Sequence, residues 1–161
     1  MAVRPVLRVP HPGLKRVARA VLPDEVEAIA VDLVDTMRAH PRCVGVAAPQ
    51  LGEPVRMVAV DVTGHPKATS CHGMLVLANP RITASEGAEV GREGCLSIPE
   101  LTANVRRAVR VTVESEGRDP IDAEGFEARC LQHELDHLDG ILFLDRVDSL
   151  STDVFRRRAY G

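Results

Sequence analysis

The feature that most constrains this chain is Gln132-His133-Glu134-Leu135-Asp136-His137, set in a stretch whose pattern predicts a helix from about Glu124 to Leu138. On a helix His133 and His137 share one face a turn apart, because residues i and i+4 lie one above the other. Two imidazoles so placed can grip one metal ion, and Glu134 beside them can act as a base on water there. A chain with this pattern must bring at least one further donor to the helix. The remaining segments can be read by asking which of them supplies it.

With 161 residues the chain can bury one substantial core, and the economical reading is a single domain over residues 1–161. Its 45% hydrophobic and 27% charged content are those of an ordinary globular protein. A net charge of -3 gives no reason to expect nucleic acid or an anionic membrane as partner, and the scarcity of aromatics argues against base-stacking platforms. No apolar run approaches the roughly 20 residues of a membrane helix. Cys43, Cys71, Cys95 and Cys130 lack the dense spacing of a disulfide scaffold. The first 23 residues are basic and lack acids, yet Pro5, Pro10, Pro12 and Gly13 spoil an amphipathic targeting helix, so they are expected to join the fold. A cytoplasmic location is expected.

Along the chain, Val6 to Val9 is a short extended piece, and Asp24 opens a helix in which Val26, Ile29, Ala30, Leu33 and Met37 repeat at helical spacing until Pro41. Cys43 to Gly52 is small, apolar and non-periodic, with Gln50 its one hydrogen-bonding side chain; from the stretch alone a structural turn is preferred. Strands are predicted over Val55 to Asp61, over Met74 to Ile82 with an interruption at Asn79-Pro80, over Val105 to Ser115 and at Ile121 to Ala123. Thr63 to Gly73 is a loop whose His65, Cys71 and His72 are read as surface residues, not as a second metal site. After Gly140 stops the metal helix, a final short helix is expected from Ser151 to Arg156-Arg157-Arg158. Strands before and between helices without a βαβ rhythm predict an α+β fold, with antiparallel or mixed sheets packed around the central metal-binding helix.

For the third donor the chain offers an acidic residue or a thiolate. Cys95, in Glu93-Gly94-Cys95-Leu96-Ser97, can project from a tight turn; Cys130 competes, three residues before His133 on the metal helix. Spacing alone does not choose between them.

Three stretches together, Gly45-Val46-Ala47-Ala48-Pro49-Gln50, Glu93-Gly94-Cys95-Leu96-Ser97 and Gln132-His133-Glu134-Leu135-Asp136-His137, resemble the signature motifs of the peptide deformylase family, in order and in separation. The resemblance implies a hydrolase that removes the formyl group from the N-terminal formyl-methionine of newly made polypeptides. It implies Cys95, His133 and His137 as ligands of one divalent ion, ferrous iron in the cell, with zinc, nickel or cobalt able to replace it. It implies Glu134 as the general base, and Gln50 with the Leu96 backbone N–H as oxyanion donors. Val44, Gly45, Phe126 and Cys130 would bind substrate, Glu93 would pair with Arg107 to pin the Cys95 turn, and the ribosome surface is a further implied partner. The first motif departs from the family's pattern, which has glycine where this chain has Cys43. That side chain lies where substrate backbone is expected to pass, so altered substrate use or reduced activity is an alternative.

Two other readings compete. Zinc endopeptidases also use H-E-x-x-H, but take their third ligand downstream as Glu or His, and no histidine follows His137. A non-enzymatic module would close a tetrahedral shell from Cys95, Cys130, His133 and His137. It leaves Glu134 and Gln50 without a task.

Overall fold

The computed structural model describes residues 3–157. Among them are two α-helices, α1 (Val26–Arg38) and α2 (Gly125–Leu138), and nine short strands. The strands are β1 (Gly45–Ala47), β2 (Met57–Val60), β3 (Leu75–Ala78), β4 (Arg81–Glu86), β5 (Glu89–Cys95), β6 (Ile98–Arg107), β7 (Arg110–Glu114), β8 (Ile121–Glu124) and β9 (Val154–Arg156). They form three antiparallel three-stranded sheets, ordered β1-β2-β3, β4-β7-β8 and β5-β6-β9. The architecture is α+β.

β2 is buried along its whole length because a helix covers each face. Its side chains alternate with the strand period of two: Met57 and Ala59 join the α1 cluster with Ile29, Leu33 and Met37, while Val58 and Val60 join the α2 cluster with Leu131, Leu135 and Leu138. Burying a leucine of this kind contributes about 2 kcal/mol. α2 is therefore wedged between the β1-β2-β3 and β4-β7-β8 sheets, which fixes its rotation and turns His133 and His137 toward β5. Gly140, at φ 71°, ends it where a Cβ would strike the Lys15 carbonyl.

Two expectations need correction, and two others are refined. The predicted strand from Val105 to Ser115 breaks after Arg107, and its halves enter different sheets. At the break Gln132 of α2 replaces a ladder neighbour: its Oε1 accepts from Ala108 N (3.0 Å) and its Nε2 donates to Ala108 O (2.9 Å). Met74 to Ile82 divides into β3 and β4 at the expected interruption, because Asn79 takes φ 49° and its side-chain amide pairs with both backbone groups of Val21. The expected C-terminal helix is instead β9, paired with β6 through Leu101↔Arg156 to Ala103↔Val154; Arg158 lies outside the described residues. The Val6 to Val9 arm joins no sheet, although Leu7 N donates to Gln50 O and Val9 N to Ser97 O. Most of β4 and β5 had no predicted counterpart.

Candidate metal centre

Cys95 ends β5 at a register shift between Gly94 and Cys95, which rotates its sulfur out of the ladder toward α2. There one donor atom each from Cys95, His133 and His137 lies within 4.8 Å of the others, all three residues buried. Cys95 Sγ stands 3.4 Å from His137 Nε2, and the two imidazoles meet edge-on with centroids 5.2 Å apart. Burial alone would raise the Cys95 thiol, but the adjacent imidazoles outweigh it and hold the thiol well below its usual range. A thiolate and two imidazoles from separate elements are a donor set suited to one borderline divalent ion.

Among the described residues, two buried side-chain N or O atoms lack a hydrogen-bond partner, Glu134 Oε1 and His137 Nδ1. Both belong to this site, and buried polar atoms elsewhere in a protein are nearly always satisfied. The thiolate and imidazole donors fit a metal, and Glu134 Oε1, which lines an adjoining cleft, fits a polar reactant; His137 Nδ1 is the ring nitrogen opposite the one that faces Cys95. Cys130 does not join the cluster; it packs in the apolar core beside α2, where burial pushes its thiol up. The closed Cys₂His₂ shell is not formed.

Glu134 is buried against β1. An ideal Cβ at Gly45 would stand 2.6 Å from Glu134 Oε2, so glycine there is what gives the carboxylate room. Burial pushes the Glu134 carboxyl up to about 7, against the opposing pull of the two histidines. That is the range suited to exchanging a proton at neutral pH.

Gln50, 1% exposed, is held by three contacts. Its Oε1 accepts from Ala47 N (2.9 Å), and its Nε2 donates to Ser97 Oγ (3.0 Å) and points at Cys95 Sγ (3.4 Å). A 3₁₀ turn over Ala48–Leu51 brings it there. The stretch that reads as a plain turn thus delivers a fixed amide to the sulfur.

Glu93 and Arg107 form a bidentate ion pair (2.8 and 2.9 Å), both nearly inaccessible to solvent. Glu93 Oε1 also meets His133 Nδ1 at 2.8 Å, which leaves Nε2 for the cluster. Burial would raise the Glu93 carboxyl; Arg107 and His133 outweigh it and hold it well below the usual carboxylate range. Sequence reasoning missed three partners here. Arg129 donates to Glu93 Oε2 (2.8 Å), Asp136 accepts from Arg107 (2.6 Å), and Ser97 holds Gln50. Arg129 was findable, since 129, 133 and 137 stack along one helix face at spacing four.

The cluster opens on a cleft of about 560 Å³ whose lining includes Val44, Gly45, Gln50, Leu96, Phe126 and Cys130. Cys43 also lines it, with Sγ–H donating to Gly45 O (3.1 Å) and the rest of the side chain against the α1 core. His65 stacks on Phe126 at 4.2 Å, and His72 is bound to buried Glu127, so neither joins a second metal cluster among the described residues.

A sequence model of the family described as polypeptide deformylase matches residues 3–153. The chain belongs to this family. It is 40% identical to a peptide deformylase of Rhizobium meliloti over 98% of its own length and 92% of the relative's. Identity is 42% to the Thermomicrobium roseum peptide deformylase, over 94% and 90%. Among solved structures, a peptide deformylase from Legionella pneumophila superposes with TM-score 0.82 at 37% identity, covering 92% of this chain and 88% of that one. The Ehrlichia chaffeensis peptide deformylase in complex with actinonin superposes with TM-score 0.85 at 30% identity, covering 94% and 92%. The chain is thus a metallohydrolase with the deformylase fold, and no helix among the described residues is long and apolar enough to cross a membrane.

Proposed function

We propose that this chain, acting as one catalytic unit, hydrolyses the formyl amide at the N-terminal formyl-methionine of newly made polypeptides, with Cys95, His133 and His137 holding a single ferrous ion. The observation that carries the reading is the convergence of three donor atoms within 4.8 Å beside a buried, unpartnered Glu134 oxygen. Zinc, nickel or cobalt suits the same thiolate and imidazole donors, and iron is our assignment for the cell. When bound, the ion supplies a Lewis acid that polarises the formyl carbonyl and lowers the pKa of water to about 7.

The remaining steps fall to side chains. Glu134 takes the proton of the attacking water and returns it to the departing amine, so that formate and a free α-amino group result. The Gln50 Nε2–H that points at Cys95 Sγ, together with the Leu96 backbone N–H, donates to the developing oxyanion. One such donor is typically worth about 3 kcal/mol. Val44, Phe126 and Cys130 receive the methionine side chain, and Gly45 lies along the peptide backbone. Glu93, clamped by Arg107, fixes the His133 ring. Because the substrate is a chain leaving the ribosome, we place the reaction in the cytoplasm near the ribosome surface.

Formate release from formyl-Met-Ala-Ser by metal-replete protein tests this directly. Turnover that disappears in Glu134→Ala supports the reading; no formate from the wild type, with metal bound, overturns it.

A further inference from the structure

The basic run Arg156-Arg157-Arg158 has no part in the chemistry above, yet the fold brings Arg157 to the cleft. β9 pairs with β6, Arg157 N donates to Glu100 O (2.8 Å), and the Arg157 guanidinium then lies over Gly94. It occupies the space a side chain at position 94 would need, one residue from Cys95. Arg92, two residues earlier on the same face of β5, lines the same cleft. Its guanidinium rests 3.9 Å above the Phe155 ring and donates to Asn104 Oδ1 (3.0 Å) and Thr102 Oγ1 (3.3 Å). All these partners are neutral. Among the described residues neither Arg92 nor Arg157 forms an ion pair, and Lys67 across the cleft forms none either. The two carboxylates that line the cleft, Glu93 and Glu134, are buried at its floor. A chain of net charge -3 thus carries a positive rim at the mouth of its cleft.

We propose that Arg157 and Arg92 form a carboxylate-binding subsite at this mouth, which favours formylated peptides carrying an acidic side chain just after the methionine. The inference rests on the deformylase reading. The Arg92 guanidinium, held by neutral contacts, and the Arg157 guanidinium, placed over Gly94 by the backbone pairing of β9, keep their charge unspent and present forked donors to a planar anion. A substrate lying over the cluster with its methionine in the cleft must lead its next residues out past this rim. Since the pair is exposed to water, its contribution is modest and screened by salt.

The test compares formyl-Met-Ala-Asp-Ala-amide with its Asn counterpart, and formyl-Met-Asp-Ala-amide with its Asn counterpart, on the metal-replete full chain. At low salt one Asp peptide should show a kcat/KM roughly three- to fivefold above its Asn partner, expressed in KM. That ratio should shrink at high salt, survive in Arg157→Lys, and fall below one in Arg157→Glu, where a Lys peptide should instead exceed its Asn partner. Formyl-Met-Ala-Ala as free acid and as amide separates the sources of carboxylate. A preference confined to the free acid would mean a chain terminus is bound, overturning side-chain selection. Equal Asp and Asn values alongside brisk turnover overturn the subsite and leave the deformylase reading intact. No formate from any peptide removes that reading and this inference with it.

Discussion

Gly45 and Glu134 are fitted to each other across β1 and α2: the carboxylate of one lies where the other would carry a Cβ, 2.6 Å from that position. A methyl group at residue 45 has to displace that carboxylate, which we propose as the general base. Gly45→Ala should therefore lower kcat about 100-fold, the usual scale for misplacing a reacting group by about 1 Å. Metal content should not change, because Cys95, His133 and His137 are untouched. Steady-state kinetics with metal analysis on the same sample checks both halves.

Arg107 pairs with Glu93 and Asp136 without touching Cys95, His133 or His137. Removing it leaves the buried Glu93 without its main counter-charge, at a cost of about 3–5 kcal/mol for a broken buried pair, while the partly exposed Asp136 keeps Arg146. Arg129 retains one contact to Glu93, which places the loss at the lower end of that range. Arg107→Ala should also weaken metal affinity about 10–100-fold through the loosened His133 ring. Chelator competition and denaturant unfolding measure the two effects separately; unchanged metal retention would refute the anchoring role.

Gln132 bridges the break between β6 and β7 by satisfying both backbone groups of Ala108. Gln132→Leu keeps the helix and strands those groups, so it should cost about 1–3 kcal/mol. The zinc content of the folded variant should match wild type. A shift in urea midpoint at constant m-value is the expected signature.

Cys43 separates from the exposed Cys71 by reactivity. Burial, reinforced by the Glu134 charge, pushes the Cys43 thiol up to about 12, and the reactive form is the thiolate. At pH 8 about one Cys43 in ten thousand is ionised. Iodoacetamide should label Cys71 readily and Cys43 very slowly, with Cys43 labelling rising as pH climbs toward 12. Mass spectrometry of the labelled chain resolves the sites; prompt labelling of Cys43 at pH 8 would contradict the raised thiol.

What the sequence disclosed was local. The metal helix follows from a 3.6-residue repeat and a motif contained within it, and β2 from an alternation that the two covering helices each read on one face. Cys95 and Gln50 came from the combination of motifs, since nothing near either residue says that they meet. The failures share one cause. β7 separates from β6 because a side chain 24 residues away supplies hydrogen bonds, and β9 is a strand because β6 offers it a ladder. Three residues carry too little propensity of their own to signal that pairing. Arg129 was visible at helical spacing from His133, but its partner Glu93 was not.

The central claim is that Cys95, His133 and His137, and not Cys130, hold one metal ion. Zinc-edge X-ray absorption of the zinc-loaded protein tests it most directly. The wild type should show one sulfur at about 2.3 Å and two imidazole nitrogens at about 2.0–2.1 Å, with the sulfur shell lost in Cys95→Ser and kept in Cys130→Ser. Two sulfurs in the wild type, or a sulfur shell that survives Cys95→Ser, would contradict it.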